Sequence, residues 1–360
     1  MPIPQQRDPE DTRRRLTAWL AERMPEARDL TLTTPHGPTD TGFSSDTLLF
    51  EATWTEGGED RRGDFVARAE PTGYTVFPEY DLGLQFRVVE ALDRHTGVPV
   101  PRVFWLEEDA AVLGSPFYLM ERVEGRIPPD SPPYTLEGWV LEASPEERRR
   151  LWTHGLEVLA RIHDVDWKGL GFDVLDRAEL GRAGLDQQLT EAERYLEWVD
   201  PGRCQPIVEA GLDWLRANRP AEDGPVGLCW GDARIGNMIF RDGTCFAVLD
   251  WEMVSLGNPV QDLAWWLHLH RHHSEGLGVE SPEGFPDRDE TVAIYEAASG
   301  RPVRDLEYYE MFAAFRFAVI MMRIARMMVE FDLIPPDSDY ERTNTASCLL
   351  AGMLGLPAPT

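Results

Sequence analysis

From residue 146 onward the sequence is patterned for helix, and one β-prone segment breaks that pattern: VGLCWGDARIGNMIFRDGTCFAVLDWE, residues 226 to 252. Met238 to Phe240 read as a short strand, the Asp-Gly of RDGT as a tight turn, and Cys245 to Leu249 as the returning strand. In such a hairpin the start of the first strand lies beside the end of the second. Asn237 and Asp250 are therefore expected at one edge, with Asp232 just upstream in a glycine-punctuated loop.

The rest of the chain supplies the frame. Residues 10 to 24 place Leu16, Leu20 and Met24 at helical spacing. From Leu30 to about Ala69 the period shortens to β-prone runs, LLFEATW and DFVARAE, broken by Gly42, Gly57, Gly58 and Gly63, as in hairpins of an antiparallel sheet. Residues 80 to 95 return to helix through Leu84, Val88 and Leu92, and Phe117 to Arg122 read as a further strand. The prolines of EGRIPPDSPP forbid helix. Helices then follow at 146 to 164, 186 to 199, 205 to 217, 259 to 271, 288 to 298 and 305 to 331. This predicts an α+β chain with a β-rich N-terminal lobe over 1–122, a hinge near 121 to 130, and a mainly helical C-terminal lobe over 123–360.

Charge narrows the partners. Thirty-five basic against 63 acidic residues leave a net charge of −28, which repels phosphate backbones and anionic lipid and argues against nucleic-acid or membrane-surface binding. Lys168 is the sole lysine, so a mechanism that needs a lysine must use it or do without. The four cysteines, Cys204, Cys229, Cys245 and Cys348, show no CxxC spacing and indicate neither a zinc cage nor a disulfide framework. With no apolar leader at the N-terminus and no apolar run of about 18 residues, the expectation is a soluble, cytoplasmic protein.

Two carboxylates and an amide converging at the open end of a hairpin offer hard oxygen ligands for Mg²⁺, which takes few protein ligands alongside substrate phosphates. The remaining carboxylate can orient a hydroxyl. That is the arrangement of phosphoryl transfer, in which one Asp receives the proton of the attacking hydroxyl while an Asn and a second Asp hold metal.

WGDARIGN, followed at Asp250 by DWE, resembles the HGDxxxxN and Asp-Phe-Gly-type motifs of the aminoglycoside phosphotransferase family, small-molecule kinases with a protein-kinase-like fold. Asn237 follows Asp232 by five residues and Asp250 follows Asn237 by 13, as in that family. The resemblance spans nearly the whole chain. GNPVQDLAWW matches the GxPxxDLA segment, with Asp262 as the anchor of the catalytic loop; GFSSDTLLFEA matches the phosphate-covering hairpin, SPFYLMERVEG the hinge, and LARIH the end of a helix.

The resemblance implies a two-lobed fold and transfer of the γ-phosphate of ATP, or of GTP, to the hydroxyl of a small molecule with Mg²⁺; the sequence leaves monomer and homodimer both open. Asp232 is then the catalytic base, Asn237 and Asp250 the metal ligands, Arg68 a phosphate contact, and the backbone of Glu121, Arg122 and Val123 the nucleobase contact. The loop Gly42, Phe43, Ser44 and Ser45 covers the phosphates. Arg234, Trp251, Glu252, Trp266 and His270 are candidates for the acceptor side. The acceptor is an aminoglycoside or another metabolite such as a hydroxyacyl thioester.

Three positions depart from the family pattern. Arg68 stands where a strand lysine is usual, Gln85 where a helix Glu is usual (with Glu90 as another partner for Arg68), and Trp230 where the catalytic-loop His is usual. These motivate a second reading, a nucleotide- or ligand-binding protein without transferase activity.

Other conspicuous residues leave alternatives open. His268, His270, His272 and His273 form a cluster that would suit zinc, an acceptor pocket or a solvated face, while His154 and His163 read as core histidines. Trp251, Trp265 and Trp266 pack the core or wall the acceptor site. Glu191, Glu193 and Glu197 make a solvated face or an acidic lining for a polycation.

Overall fold

The structure is a computed structural model and describes residues 7–37 and 46–360. Its contacts divide the chain into two units, one of Met1–His95 with Val100–Glu124 and one of Thr96–Pro99 with Gly125–Thr360.

The first unit opens with α1 (Pro9–Arg23), which starts where sequence dictates: Asp8 caps the free N–H groups of Glu10 and Asp11, and Pro9 occupies the first turn, where a missing N–H costs nothing. Then come β1 (Arg28–Leu32), β2 (Asp46–Glu56), β3 (Glu59–Ala69), α2 (Leu82–His95), β4 (Val103–Glu107) and β5 (Phe117–Glu121). The strands form one antiparallel sheet in the order β1-β2-β3-β5-β4. Glu56 pairs with Glu59 across the two-residue Gly57–Gly58 turn.

Strand alternation sends successive side chains to opposite faces. On one face Leu16, Trp19 and Leu20 of α1 pack with Phe50, Phe65, Phe117 and Leu119, with the Trp19 and Phe117 rings 4.8 Å apart. Tyr118 points the other way, to Phe86 of α2 at 6.1 Å. Arg68, the cross-strand partner of Tyr118 on central strand β3, shares that α2 face.

The second unit is helical apart from two small sheets. It comprises α3 (Trp139–Glu142), α4 (Pro145–His163), α5 (Leu185–Val199), α6 (Pro206–Ala217), β6 (Gly227–Cys229), β7 (Met238–Arg241), β8 (Thr244–Val248), β9 (Ser255–Gly257), α7 (Val260–His273), α8 (Arg288–Ser299), α9 (Leu306–Glu330), α10 (Tyr340–Thr343) and α11 (Thr345–Met353). Four short elements, α3, α10, α11 and β9, lie outside the helices and strands expected from the sequence. β7 and β8 form the expected hairpin, with Asp242 and Gly243 at φ 49° and 76° in its turn. The early part of the island does not join this hairpin, because β6 pairs antiparallel with β9. α4 carries a capping box, Ser144 and Glu147 each satisfying the other's backbone N–H. α9 is buried on most of its circumference, with Phe312, Phe315, Ala318, Val319 and Met322 at its centre, as expected of a helix that runs through a core. No described helix is long and apolar enough to cross a membrane.

Candidate active site

The WGDARIGN loop leaves β6 at Trp230 and re-enters sheet at Met238. Gly231 sits at φ 94°, and a Cβ built there would lie 2.1 Å from the Met253 carbonyl oxygen, so glycine is required on both conformational and steric grounds. Behind the loop lies Asp262, fully buried in the first turn of α7. Its Oδ2 accepts from the Trp230 N–H at 2.6 Å and its Oδ1 from the Gly231 N–H at 3.1 Å. His163, at the end of α4, places Nε2 3.1 Å from Asp262 Oδ2 and Nδ1 2.7 Å from the Tyr295 hydroxyl. A carboxylate can only accept, so Nε2 carries the proton that Asp262 receives, and Nδ1 shares a second hydrogen bond with the Tyr295 hydroxyl.

In front of the loop, the Asp232 carboxylate is held by three donors. Trp265 Nε1 donates to Oδ1 at 2.7 Å, Asn237 Nδ2 to Oδ2 at 2.6 Å, and Arg234 Nε to Oδ2 at 3.0 Å. With two donors on Oδ2 and one on Oδ1, the latter keeps a lone pair for a further hydrogen bond. Asn237 must direct its amide nitrogen at Asp232, which leaves its amide oxygen free of that contact. Its main-chain oxygen accepts from the Leu249 N–H at 2.9 Å, so the hairpin brings Asn237 beside the residue that precedes Asp250. Asp250 adopts φ 61°, a left-handed conformation rare outside glycine, and such strain persists where surrounding structure imposes it.

Part of that imposition comes from Trp230. Its indole Nε1 donates to the carbonyl oxygens of Leu249 and Asp250 at 2.9 and 3.2 Å. The residue that replaces the usual His thus ties the loop of Asp232 to the turn of Asp250.

Arg234 bridges two carboxylates, Asp232 and Asp130, the latter from the proline-rich segment. Burial disfavours its charge, but the two carboxylates outweigh this and hold the guanidinium above its ordinary range. Asp130 is a residue the sequence reading missed; a lone Asp between prolines carries no signal of a partner 104 positions away. Around this bridge Tyr134, Trp152, Trp266, His270 and His273 line a narrow cleft.

Several candidates are placed otherwise than expected. Trp251 is buried and donates to the Val248 carbonyl at 3.2 Å, which makes it a core residue rather than an acceptor wall. Trp266 is also buried, yet its Nε1 finds no partner among the described residues and it does line the cleft. His270 has both nitrogens engaged, by the Tyr134 hydroxyl and Ser281 Oγ, each at 2.8 Å. Burial pushes His268, His270, His272 and His273 down to about 3 each, so the cluster is neutral. His163 is in the core as expected, and half-buried His154 accepts from the Cys245 N–H at 3.0 Å. Glu191, Glu193 and Glu197 are each ion-paired, with Arg177, Arg216 and Arg203. Glu252 is half-buried beside Trp251.

In the first unit, Arg68 and Gln85 are both buried, and the Gln85 side-chain oxygen has no partner among the described residues. Glu90, the other partner considered for Arg68, pairs instead with Arg94 one turn along α2 at 2.8 Å. The N–H groups of Glu121 and Arg122 are engaged inside the sheet, with the carbonyls of Arg102 and Asp64 at 2.9 Å each, and so are closed to a nucleobase. Gly42, Phe43, Ser44 and Ser45 lie outside the described residues.

The profile of the phosphotransferase enzyme family, APH, matches residues 41–305. The chain belongs to this family. A Ralstonia eutropha protein of solved structure, provisionally named an aminoglycoside phosphotransferase, is 25% identical to it, with a TM-score of 0.68 over 95% of this chain and 96% of that one. The aminoglycoside phosphotransferase APH(4)-Ia, solved with AMP-PNP and hygromycin B, is 15% identical with a TM-score of 0.52 over 94% and 96%, and shows the shared protein-kinase-like fold alone.

Among curated proteins, the probable acyl-CoA dehydrogenase IBR3 of Arabidopsis thaliana is 32% identical over 78% of this chain, and the human acyl-CoA dehydrogenase family member 11 is 29% identical over 64%. The chain spans 34% and 29% of their lengths. Membership of the phosphotransferase enzyme family and the α+β architecture are both as the sequence predicts.

Proposed function

We propose that this phosphotransferase moves the γ-phosphoryl group of ATP, or of GTP, to a hydroxyl of a small molecule, with Asp232 as the catalytic base. The observation that carries the reading is the Asp232 carboxylate itself, fixed by Trp265, Asn237 and Arg234 with one Oδ1 lone pair open. In the reaction the acceptor oxygen forms a bond to the γ-phosphorus as the bond from that phosphorus to the β-bridging oxygen breaks. The hydroxyl proton passes to Asp232 and the nucleoside diphosphate leaves with the bond electrons.

The donor set fits magnesium. Asn237 turns its amide nitrogen to Asp232, leaving the amide oxygen, and Asp250 supplies a carboxylate; a magnesium ion held there would offset charge on the phosphates. Arg68, buried on β3, is the phosphate contact proposed for the first unit, and Val123, which takes part in no backbone hydrogen bond among the described residues, is the proposed nucleobase contact. Catalysis then rests on positioning and charge stabilisation rather than on a covalent intermediate.

The acyl-CoA dehydrogenase names of the curated relatives favour a hydroxyacyl thioester over an aminoglycoside as acceptor, and the ion-paired state of Glu191, Glu193 and Glu197 removes the acidic lining a polycation would want. Arg68 and Gln85, each buried and standing in place of Lys and Glu, support the second reading of nucleotide binding without transfer. One experiment separates them. ADP release with ATP and Mg²⁺ is followed across an acceptor panel for the native chain and Asp232→Asn. Turnover that falls by about three orders of magnitude or more in the variant, with ATP affinity retained, supports the base role; ATP binding with no product from any acceptor supports the second reading.

A further inference from the structure

Arg316 projects from the middle of α9 and is half-buried. Its Cζ lies 5.0 Å from the centroid of the Trp265 ring and 5.4 Å from that of Phe312. Trp265 is the residue whose Nε1 holds Asp232 Oδ1, so one indole ring separates this guanidinium from the proposed base. Among the described residues Arg316 takes part in no hydrogen bond and no ion pair.

The carboxylates that act on it do so from beyond ion-pair distance, and each is already engaged. Glu191 is bridged to Arg177, Asp262 to His163 and two peptide N–H groups, and Asp232 to its three donors. Burial, the largest influence, pulls the guanidinium below its ordinary range, and at neutral pH an arginine there still carries its charge. A half-buried cation with aromatic faces around it and no anion against it is costly. The cost is recovered when an anion arrives from outside the chain, and a planar fork with free N–H groups is shaped to receive a carboxylate or phosphate in a bidentate manner.

We propose that the acceptor bears a small oxyanion, a carboxylate or a phosphate, that binds Arg316 while its hydroxyl reaches Asp232. The site assigns a substrate class, hydroxylated anions, and places cationic aminoglycosides at a disadvantage. As to the hydroxyl, the proposal rests on the phosphotransfer reading above; as to the anion, it stands by itself.

The test is calorimetric titration of the full chain with four probes: 3-hydroxybutyrate, glycerol 3-phosphate, neutral 1,3-butanediol and cationic kanamycin. Arg316→Gln and Arg316→Lys are titrated in parallel, with ATP and Mg²⁺ as a control on each. The expected result is binding of one or both anions in preference to the other probes, with the preferred anion telling carboxylate from phosphate. Arg316→Gln should weaken that binding about 10- to 100-fold, the loss of a charge-assisted hydrogen bond, while Arg316→Lys keeps part of it and nucleotide affinity is unchanged.

Equal or tighter binding of the neutral or cationic probe, no anion binding at millimolar concentration, or anion affinity unchanged in Arg316→Gln overturns the proposal. The comparison of probes on the native chain decides the matter even where a variant fails to fold. Product analysis keeps the two readings apart. Anion binding that depends on Arg316 without phosphorylated product removes transfer and leaves the anion site, whereas phosphorylation of neutral acceptors indifferent to Arg316 does the reverse.

Discussion

The indole nitrogen of Trp265 donates to Oδ1 of Asp232 across 2.7 Å, from the first turns of α7 to the loop between β6 and β7. It is the single donor on the oxygen proposed to meet the acceptor hydroxyl, so it sets where the remaining lone pair points. Trp265→Phe keeps the ring and deletes the donor. A hydrogen bond to a charged group contributes about 1.5–3 kcal/mol, so kcat should fall roughly 10- to 100-fold with little change in nucleotide KM. A kcat within twofold of native would remove Trp265 from the positioning of Asp232.

Trp230 makes a second tie, from its indole to the carbonyls of Leu249 and Asp250. Trp230→Phe takes one donor from both half-buried carbonyls, at a cost of about 1 kcal/mol in unfolding free energy. The same change should loosen the left-handed turn at Asp250 and weaken Mg²⁺-dependent nucleotide binding more than binding measured without the metal. Equal weakening with and without Mg²⁺ would separate Trp230 from the Asp250 turn.

Gly231 admits no side chain. Gly231→Ala combines the strain of φ 94° with a contact 2.1 Å from the Met253 oxygen, and should destabilise the chain by several kcal/mol, in the upper range for point mutations. Urea denaturation reads this as a lower midpoint at unchanged slope. A midpoint equal to native would mean that the loop relaxes away from Met253.

Acid sensitivity follows from the four α7 histidines. Their folded-state values lie near 3, below the unfolded value of 6.5. Between those limits the unfolded chain binds more protons, so stability is full above about pH 6.5 and declines as pH falls toward 3. Each such group adds a slope of up to about 1.4 kcal/mol per pH unit. His268→Gln should flatten the dependence of the unfolding midpoint on pH between 6.5 and 4, and an unchanged dependence counts against a buried neutral His268.

The catalytic segment was readable because its signals are local. The Asp-Gly turn and two short strand runs fixed the β7–β8 hairpin, and the hairpin register alone brought Asn237 next to the approach to Asp250. Long helices were readable from spacing for the same reason. What escaped depends on distant partners. β9 is three residues long and exists because β6 offers it an edge, and Asp130 matters because Arg234 reaches it from 104 positions away. The acidic run of α5 looked available to a ligand because its arginine partners lie on other segments, Arg177 upstream and Arg203 and Arg216 downstream. Likewise Glu90 was paired within its own helix rather than across the sheet.

Asp262 joins the end of α4, the start of α7 and two peptide groups of the Asp232 loop in one buried knot. The contact between His163 and Asp262 joins α4 to α7 across about 100 residues of chain, so it forms only where those two helices are docked. The loop of Asp232 therefore takes its shape from the start of α7, a helix held to α4 through the same carboxylate. A chain in which α7 has come away holds the same residues in order along its sequence, yet it lacks the Trp265 donor and the Asp262 ties that fix Asp232.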